Sequence, residues 1–111
     1  MHTEKKDGII KGIILICNKM LNNEENLLTG CHEITHIFHE GLSAGIFHES
    51  DEIFSIFRGV ESETDYYERK RLLESGMNEF QIDKEFNDTI EYYRNEIING
   101  CKELLVKLAI T

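Results

Sequence analysis

Apolar residues recur with a helical period along the whole chain, and the first run of them predicts a helix from about Glu4 to Leu21. Gly8 and Gly12 lower its helix propensity, but they lie one turn apart, a spacing that lets a second backbone approach closely. We therefore expect this helix to pack at the centre of the fold. Its apolar face is formed by Ile9, Ile10, Ile13, Ile14, Cys17, Met20 and Leu21.

A second helix is predicted between two groups of helix-terminating residues. Asn22 or Asn23 can cap its first turn, because an Asn side chain accepts a hydrogen bond from a free backbone N–H there. Gly41 or Gly45 can end it. The apolar positions between these ends follow the i, i+4, i+7, i+11 spacing of a single helix face: Leu27, Cys31, Ile34 and Phe38.

Two shorter helices are predicted in the middle of the chain. The third helix begins at Ser50 and is ended by Gly59. The acidic turn Ser62-Glu63-Thr64-Asp65 then caps a fourth helix, which ends at Gly76. The third helix is short but dense in apolar side chains, so we expect it to contribute to the core through Ile53, Phe54, Ile56, Phe57 and Val60.

The last helix is predicted to be the longest. Asn78 and Gln81 have the spacing of a capping box, in which each side chain bonds the other's backbone N–H. The apolar positions then keep the helical period for about seven turns: Ile82, Phe86, Ile90, Tyr93, Ile97, Cys101, Leu104 and Leu108. We expect this face to pack on the first two helices. The fold class predicted for residues 1–111 is a single-domain, all-α bundle of about five helices, in keeping with the absence of proline.

The charge of the chain is strongly uneven. Acidic residues number 21 and basic residues 12, a formal net charge of −9. Residues 22–65 hold ten acidic residues and a single base, Arg58, so this segment alone carries −9. Nucleic-acid binding requires clustered Lys and Arg for phosphate contacts, so the charge excludes a general nucleic-acid binder.

The cysteines indicate a reducing compartment. Cys17, Cys31 and Cys101 are an odd number, which argues against a disulfide framework, and each falls on a predicted apolar face. The apolar run over residues 8–17 is too short to cross a bilayer, and no small-residue cleavage site of a signal peptide follows it. We therefore expect a cytoplasmic protein with no membrane contact.

The pentapeptide His32-Glu33-Ile34-Thr35-His36 matches the zinc-peptidase motif H-E-x-x-H. On a helix its imidazoles share one face, and Glu33 would act as the base that activates a zinc-bound water. A catalytic zinc needs a third protein ligand, but His39 and Leu42 stand where the metzincin extension has Gly and His. The alternative is a histidine-rich helix face that contacts a partner. A small zinc metallopeptidase is thus the second functional hypothesis.

The acidic middle segment suggests a basic protein partner. Like charges on a small domain repel one another, and they also steer a cationic partner into rapid association. Nucleases are an obvious class of partner, because their active sites are positive in order to hold RNA or DNA. The alternative is a surface that binds no partner and whose charge only aids solubility.

Residues from about Gly30 to Leu105 also resemble a family of small bacterial helical proteins. The shared pattern comprises Ser62-Glu63-Thr64-Asp65, Arg71, Asp83-Lys84-Glu85, Tyr93-Arg94, Cys101, Leu104 and Leu105. Some members look like immunity proteins of contact-dependent growth inhibition systems, which neutralise a delivered toxin, often an RNase. The family pattern has Leu-Pro and Gly after the acidic turn, where this chain has Tyr66, Tyr67, Glu68 and Arg69. Such a departure fits an interface that has diverged to match one partner.

Charge and resemblance together predict an immunity protein, not an enzyme, that covers the positively charged nucleic-acid site of a cognate toxin. We expect no catalytic residue and no cofactor. The predicted charge contacts are made by Glu40, Glu49, Asp51, Glu61, Glu63 and Asp65. Packing and further hydrogen bonds are expected from His39, His48, Tyr66 and Tyr67.

Overall fold

The computed structural model describes residues 2–109, with side chains described from Glu4 to Ala109. These residues form helices and turns and contain no β-strand. A 3₁₀ turn, Glu52–Phe54, precedes the third helix. The helices are α1 (His2–Leu21), α2 (Leu27–Ser43), α3 (Ser55–Glu63), α4 (Tyr66–Glu74) and α5 (Glu79–Ala109). The predicted all-α fold with a long C-terminal helix is confirmed.

Four segments form the main bundle, which we define as α1, α2, α3 and the C-terminal half of α5. α1 and α5 are antiparallel, since Ile10 shares a groove with Leu104 whereas Asn23, just after α1, lies near Asn87. α2 and α3 are also antiparallel, as shown by contacts at both ends described below. The core between these helices contains Ile13, Cys17, Met20, Cys31, Ile34, Phe38, Phe54, Phe57, Val60, Ile97, Cys101 and Leu104, each at most 2% exposed.

The predicted N-cap of α2 is wrong. Asn26, not Asn22 or Asn23, caps the helix: its Oδ1 accepts from the N–H groups of Leu28 at 2.8 Å and Thr29 at 3.3 Å. Asn23 instead ends α1 in the left-handed conformation, with φ of 58°. There the N–H of the next residue bonds the carbonyl of Lys19 at 2.8 Å, the pattern of a Schellman motif.

The predicted end of the third helix is also wrong. Gly59 lies inside α3, which continues to Glu63. The glycine keeps a helical conformation, and burial of Val60 directly after it favours continuation of the helix. Part of the predicted acidic turn therefore belongs to α3. Asp65 alone caps α4, where its Oδ1 accepts from the N–H of Glu68 at 2.8 Å.

The third helix also starts later than predicted, because a 3₁₀ turn follows Ser50 and α3 begins only at Ser55. The predicted start of the last helix and the glycines predicted to follow the second and fourth helices are confirmed. Asn78 and Gln81 form the reciprocal capping box, with N–H to side-chain oxygen distances of 2.9 and 2.8 Å. α2 ends at Ser43, and Gly45 follows it with a positive φ of 73°. α4 ends before Gly76, whose φ is 102°. Glycine suits both positions because left-handed backbone is costly for residues with a Cβ.

The remaining part of the molecule is the α4 arm, which we define as α4 and the first part of α5, residues 66–89. No residue of α4 is buried. Ile82 and Phe86 of α5 are buried beneath it but lie outside the cluster that fills the main bundle. Arg69 joins the two helices by ion pairs to Glu79 and Asp83. None of the helices within residues 2–109 combines the length and apolar character needed to cross a membrane.

Candidate functional site: an acidic surface in two groups

Antiparallel packing of α2 and α3 divides the predicted contact residues into two groups. Nε2 of His32, near the start of α2, lies 2.8 Å from Oγ1 of Thr64, just past the end of α3. Phe38, near the end of α2, packs on Phe54 just before α3, with ring centroids 4.5 Å apart. The loop group contains His39, Glu40, His48, Glu49 and Asp51. The junction group contains Glu61, Glu63, Asp65, Tyr66 and Tyr67 and lies at the opposite end of this helix pair.

The acidic residues of the loop group are largely engaged within the chain. Glu40 Oε1 lies 3.1 Å from His36 Nε2, one turn away on α2. The Asp51 carboxylate accepts from the N–H of His48 at 2.9 Å and so holds the turn before α3. The guanidinium of Arg58 lies over the ring of Phe38, 5.0 Å from its centroid. Arg58 is the one Lys or Arg among residues 22–65, and it therefore lies beside the loop group. Two of the three acidic side chains of the loop group, those of Glu40 and Asp51, are therefore already engaged within the chain.

The junction group presents its charge differently. Glu61 and Glu63 are two positions apart on α3, about 200° around the helix, so they point to opposite flanks. Glu63 faces α5, where its negative charge raises the pKa of the Tyr93 hydroxyl above its ordinary value. Tyr66 and Tyr67 are 71% and 77% exposed, and their rings meet edge to face with centroids 5.7 Å apart.

A cleft of about 370 Å³ opens beside the junction group, between the end of α3, α4 and α5. Three carboxylates face it, from Glu63, Glu68 and Glu85, with the buried ring of Phe86 among its lining residues. Arg71 supplies a single positive charge, which hydrogen bonds Glu68 and lowers the pKa of that carboxyl. The cleft therefore combines net negative charge with two apolar lining side chains, Leu72 and Phe86, a combination suited to the charged head and stem of a Lys or Arg side chain.

Sequence reasoning missed the roles of Glu68 and Glu85 in this cleft. Glu68 stands next to the predicted contact Tyr67, and a finer reading of the α4 face could have included it. Glu85 lies on another helix and is brought to Glu63 only by tertiary packing, so no local pattern links the two. The buried hydroxyl of Thr64 was likewise unforeseen as a partner of His32.

The residues of the H-E-x-x-H motif do not fit a zinc site. The Thr64 hydroxyl donates its hydrogen to the carbonyl of Val60 at 2.7 Å, so it can only accept from His32 Nε2. That nitrogen therefore carries a proton and has no lone pair for a metal. His36 points to Glu40. Among the residues with described side chains, no three His, Cys, Asp or Glu lie close enough together to hold a metal ion.

The motif glutamate has a structural neighbour of its own. Glu33 lies beside Glu25 from the loop before α2, and burial together with this neighbouring carboxyl raises the pKa of Glu25. Two carboxyl groups in contact share a proton more readily than they remain both ionised. Glu33 is thus directed along the surface toward a loop side chain, away from a position between the two imidazoles.

The three cysteines are buried and unpaired, in agreement with their predicted place on apolar faces. Cys101 Sγ lies 3.8 Å from Met20 Sδ, so sulfur atoms from α1 and α5 meet in the core. Burial raises the pKa of Cys31 to about 12, and a hydrogen bond with Cys101 together with burial raises the pKa of Cys17. Thiols that stay protonated at neutral pH are poor nucleophiles, which makes Cys17 and Cys31 part of the packing.

Comparison of the chain with protein-family models, with curated proteins and with solved structures finds no match. The resemblance to a family of small bacterial helical proteins therefore stays a prediction. Any proposal for the function of this chain depends on the geometry of its acidic surface.

Proposed function

We propose that this chain is an immunity protein that binds a cognate basic toxin, most simply an RNase, and blocks its nucleic-acid site. The observation that carries the proposal is the cleft at the junction group, which Glu63, Glu68 and Glu85 line together with the apolar side chains of Leu72 and Phe86. Carboxylates on such a surface can occupy the positions that phosphates take in a nuclease site, and they do so without any chemistry by this protein.

The junction group is the better docking surface of the two. Tyr66 and Tyr67 expose large, stiff side chains next to the acids, and tyrosine is enriched among residues that dominate binding energy. In the loop group, by contrast, Glu40 and Asp51 already have partners within the chain. Lys5 also shares a surface depression with His36 and Glu40, which further reduces the negative potential there.

The expected mechanism is steering followed by occlusion. A surface with a strong excess of one charge raises association rates with an oppositely charged site by roughly 10- to 1,000-fold at low ionic strength. Once docked, the helical surface excludes the substrate from the toxin. A rigid docking surface favours binding, and the Asp65 cap helps here because it holds the backbone of the first turn of α4, which carries Tyr66 and Tyr67.

The proposal is tested first by asking whether a secreted toxin is encoded beside the gene of this chain, and its toxin domain then serves as the partner in the binding experiments. The variant Glu63→Lys/Glu85→Lys reverses two charges of the cleft, and Glu40→Lys/Glu49→Lys makes the same change in net charge in the loop group. Association rates are measured by stopped flow at two salt concentrations, and protection is measured by growth during co-expression. We expect the cleft variant to associate at least tenfold more slowly than the loop variant and to lose protection.

Two outcomes would contradict different parts of the proposal. Equal effects of the two variants would show that only net charge matters and would remove the cleft from the mechanism. Absence of any complex between the unmodified chain and the toxin domain would refute the immunity function itself. Circular dichroism of both variants checks that they remain folded.

A further inference from the structure

A second cavity lies on the other side of the molecule from the acidic cleft. It is a groove of about 390 Å³ between the start of α1, the 3₁₀ turn with the chain before it, and the end of α5. Its volume falls within the range of small-molecule sites, roughly 300–1,000 Å³. Most of its surface is apolar and comes from Ile10, Ile46, Phe47, Ile53, Phe54 and Leu104.

The charged residues at the groove favour an anion. Lys6 of α1 and Lys107 of α5 contribute two ammonium groups, and Asp51 contributes the one carboxylate. The Asp51 carboxylate already accepts from the N–H of His48. Neither lysine makes an ion pair with any residue between Glu4 and Ala109. Two lysines with no ion-pair partner in the described part of the chain therefore stand beside an apolar groove on a protein that is otherwise strongly acidic.

We propose that this groove binds an amphipathic monoanion, an alkyl carboxylate whose chain fits a groove of this volume. The chain would lie against Ile53 and Phe47 while the carboxylate meets Lys6 and Lys107. A purely apolar ligand would leave both ammonium groups unused, and a cationic amphipath would be repelled by them. This inference does not depend on the immunity function, because no residue of the cleft takes part.

The test is a titration of the full-length, ¹⁵N-labelled chain with sodium decanoate below its micellar concentration, followed by NMR. We expect saturable shifts centred on residues 46–54 and 104–107. Octanoate, shorter by two methylenes, should bind roughly tenfold more weakly, since each buried methylene contributes to affinity. Decyltrimethylammonium, with the same chain length and a positive head, should show no saturable binding.

Paired variants test the charge contacts. Lys6→Gln/Lys107→Gln should weaken decanoate binding about tenfold, whereas Lys11→Gln/Lys102→Gln, on exposed positions of the same two helices outside the groove, should leave it unchanged. Binding that does not saturate, equal binding of the cationic amphipath, or equal effects of the two variant pairs would overturn the proposal. So would saturable binding of an apolar peptide by a groove that does not bind decanoate.

Discussion

The main bundle and the α4 arm are held together by different kinds of interaction. In the main bundle, buried side chains from four helical segments meet, and Phe47 and Phe54 from the connection between α2 and α3 pack on Phe38. In the arm, α4 itself buries no residue; it covers Ile82 and Phe86 of α5, and Arg69 pairs with Glu79 and Asp83 across the two helices. The proposed toxin cleft lies where these two regions meet.

This contrast indicates where the molecule can tolerate substitutions. Burial of a large apolar side chain stabilises by about 1.5–3 kcal/mol. An exposed ion pair is worth roughly 0–1 kcal/mol. A binding surface built on the arm can therefore vary its polar residues at small cost, provided that the main bundle keeps its core.

The largest effect is expected from Phe38→Ala in the main bundle. Phe38 is fully buried and packs on Phe47 and Phe54, so its removal leaves a cavity and should lower the free energy of unfolding by about 3–5 kcal/mol. Phe86→Ala is the matched change in the arm. It should cost about 2 kcal/mol or less, because α4 can detach without opening the main bundle.

Urea denaturation followed by circular dichroism measures both variants. Equal losses of stability for Phe38→Ala and Phe86→Ala would contradict the division of the molecule into a bundle and an arm, and would indicate one cooperative core. Tyr92→Ala serves as a control, because Tyr92 is 79% exposed and its loss should change the free energy of unfolding by less than about 0.5 kcal/mol.

The fold was predicted well from the sequence in those helices where only one structure is compatible with the pattern of residues. The apolar period identified the buried face of α5, and the Asn78–Gln81 capping box marked its start. The prediction failed where signals overlap. Asn22, Asn23 and Asn26 can each serve a helix end, and only the structure shows that Asn23 finishes α1 while Asn26 starts α2.

The candidate site was less predictable than the fold, for a physical reason. The sequence placed ten acidic residues in one segment, but the turn between α2 and α3 carries them to two ends of a helix pair. Glu85 reaches the cleft from α5, more than twenty positions after Glu63. Proximity of this kind depends on helix packing, which local periodicity does not encode.

A smaller effect is expected inside the main bundle from Gly41→Ala. A Cβ at Gly41 would lie 2.2 Å from Cδ2 of Phe47, and a packed ring cannot move aside cheaply. We expect a loss of about 1–3 kcal/mol in the free energy of unfolding despite the better helix propensity of alanine. Gly59→Ala is the control: it lies inside α3 with open space around it and should gain about 0.5–1 kcal/mol. A gain at both positions would contradict the close packing of Phe47 on α2.

The smallest global effect, and the most local one, is expected from Arg69→Ala in the arm. Arg69 Nη2 lies 2.7 Å from Asp83 Oδ1, its guanidinium also pairs with Glu79, and it covers the ring of Phe86 at 5.1 Å from the centroid. Because the side chain is 31% exposed, its loss should cost only about 1 kcal/mol. Hydrogen exchange should nevertheless show faster exchange of the α4 amides with no change in α1 and α2. Lys70→Ala, on the exposed neighbour, should leave both regions unchanged, and equal acceleration of exchange in α1 would mean that the arm and the bundle open as one unit.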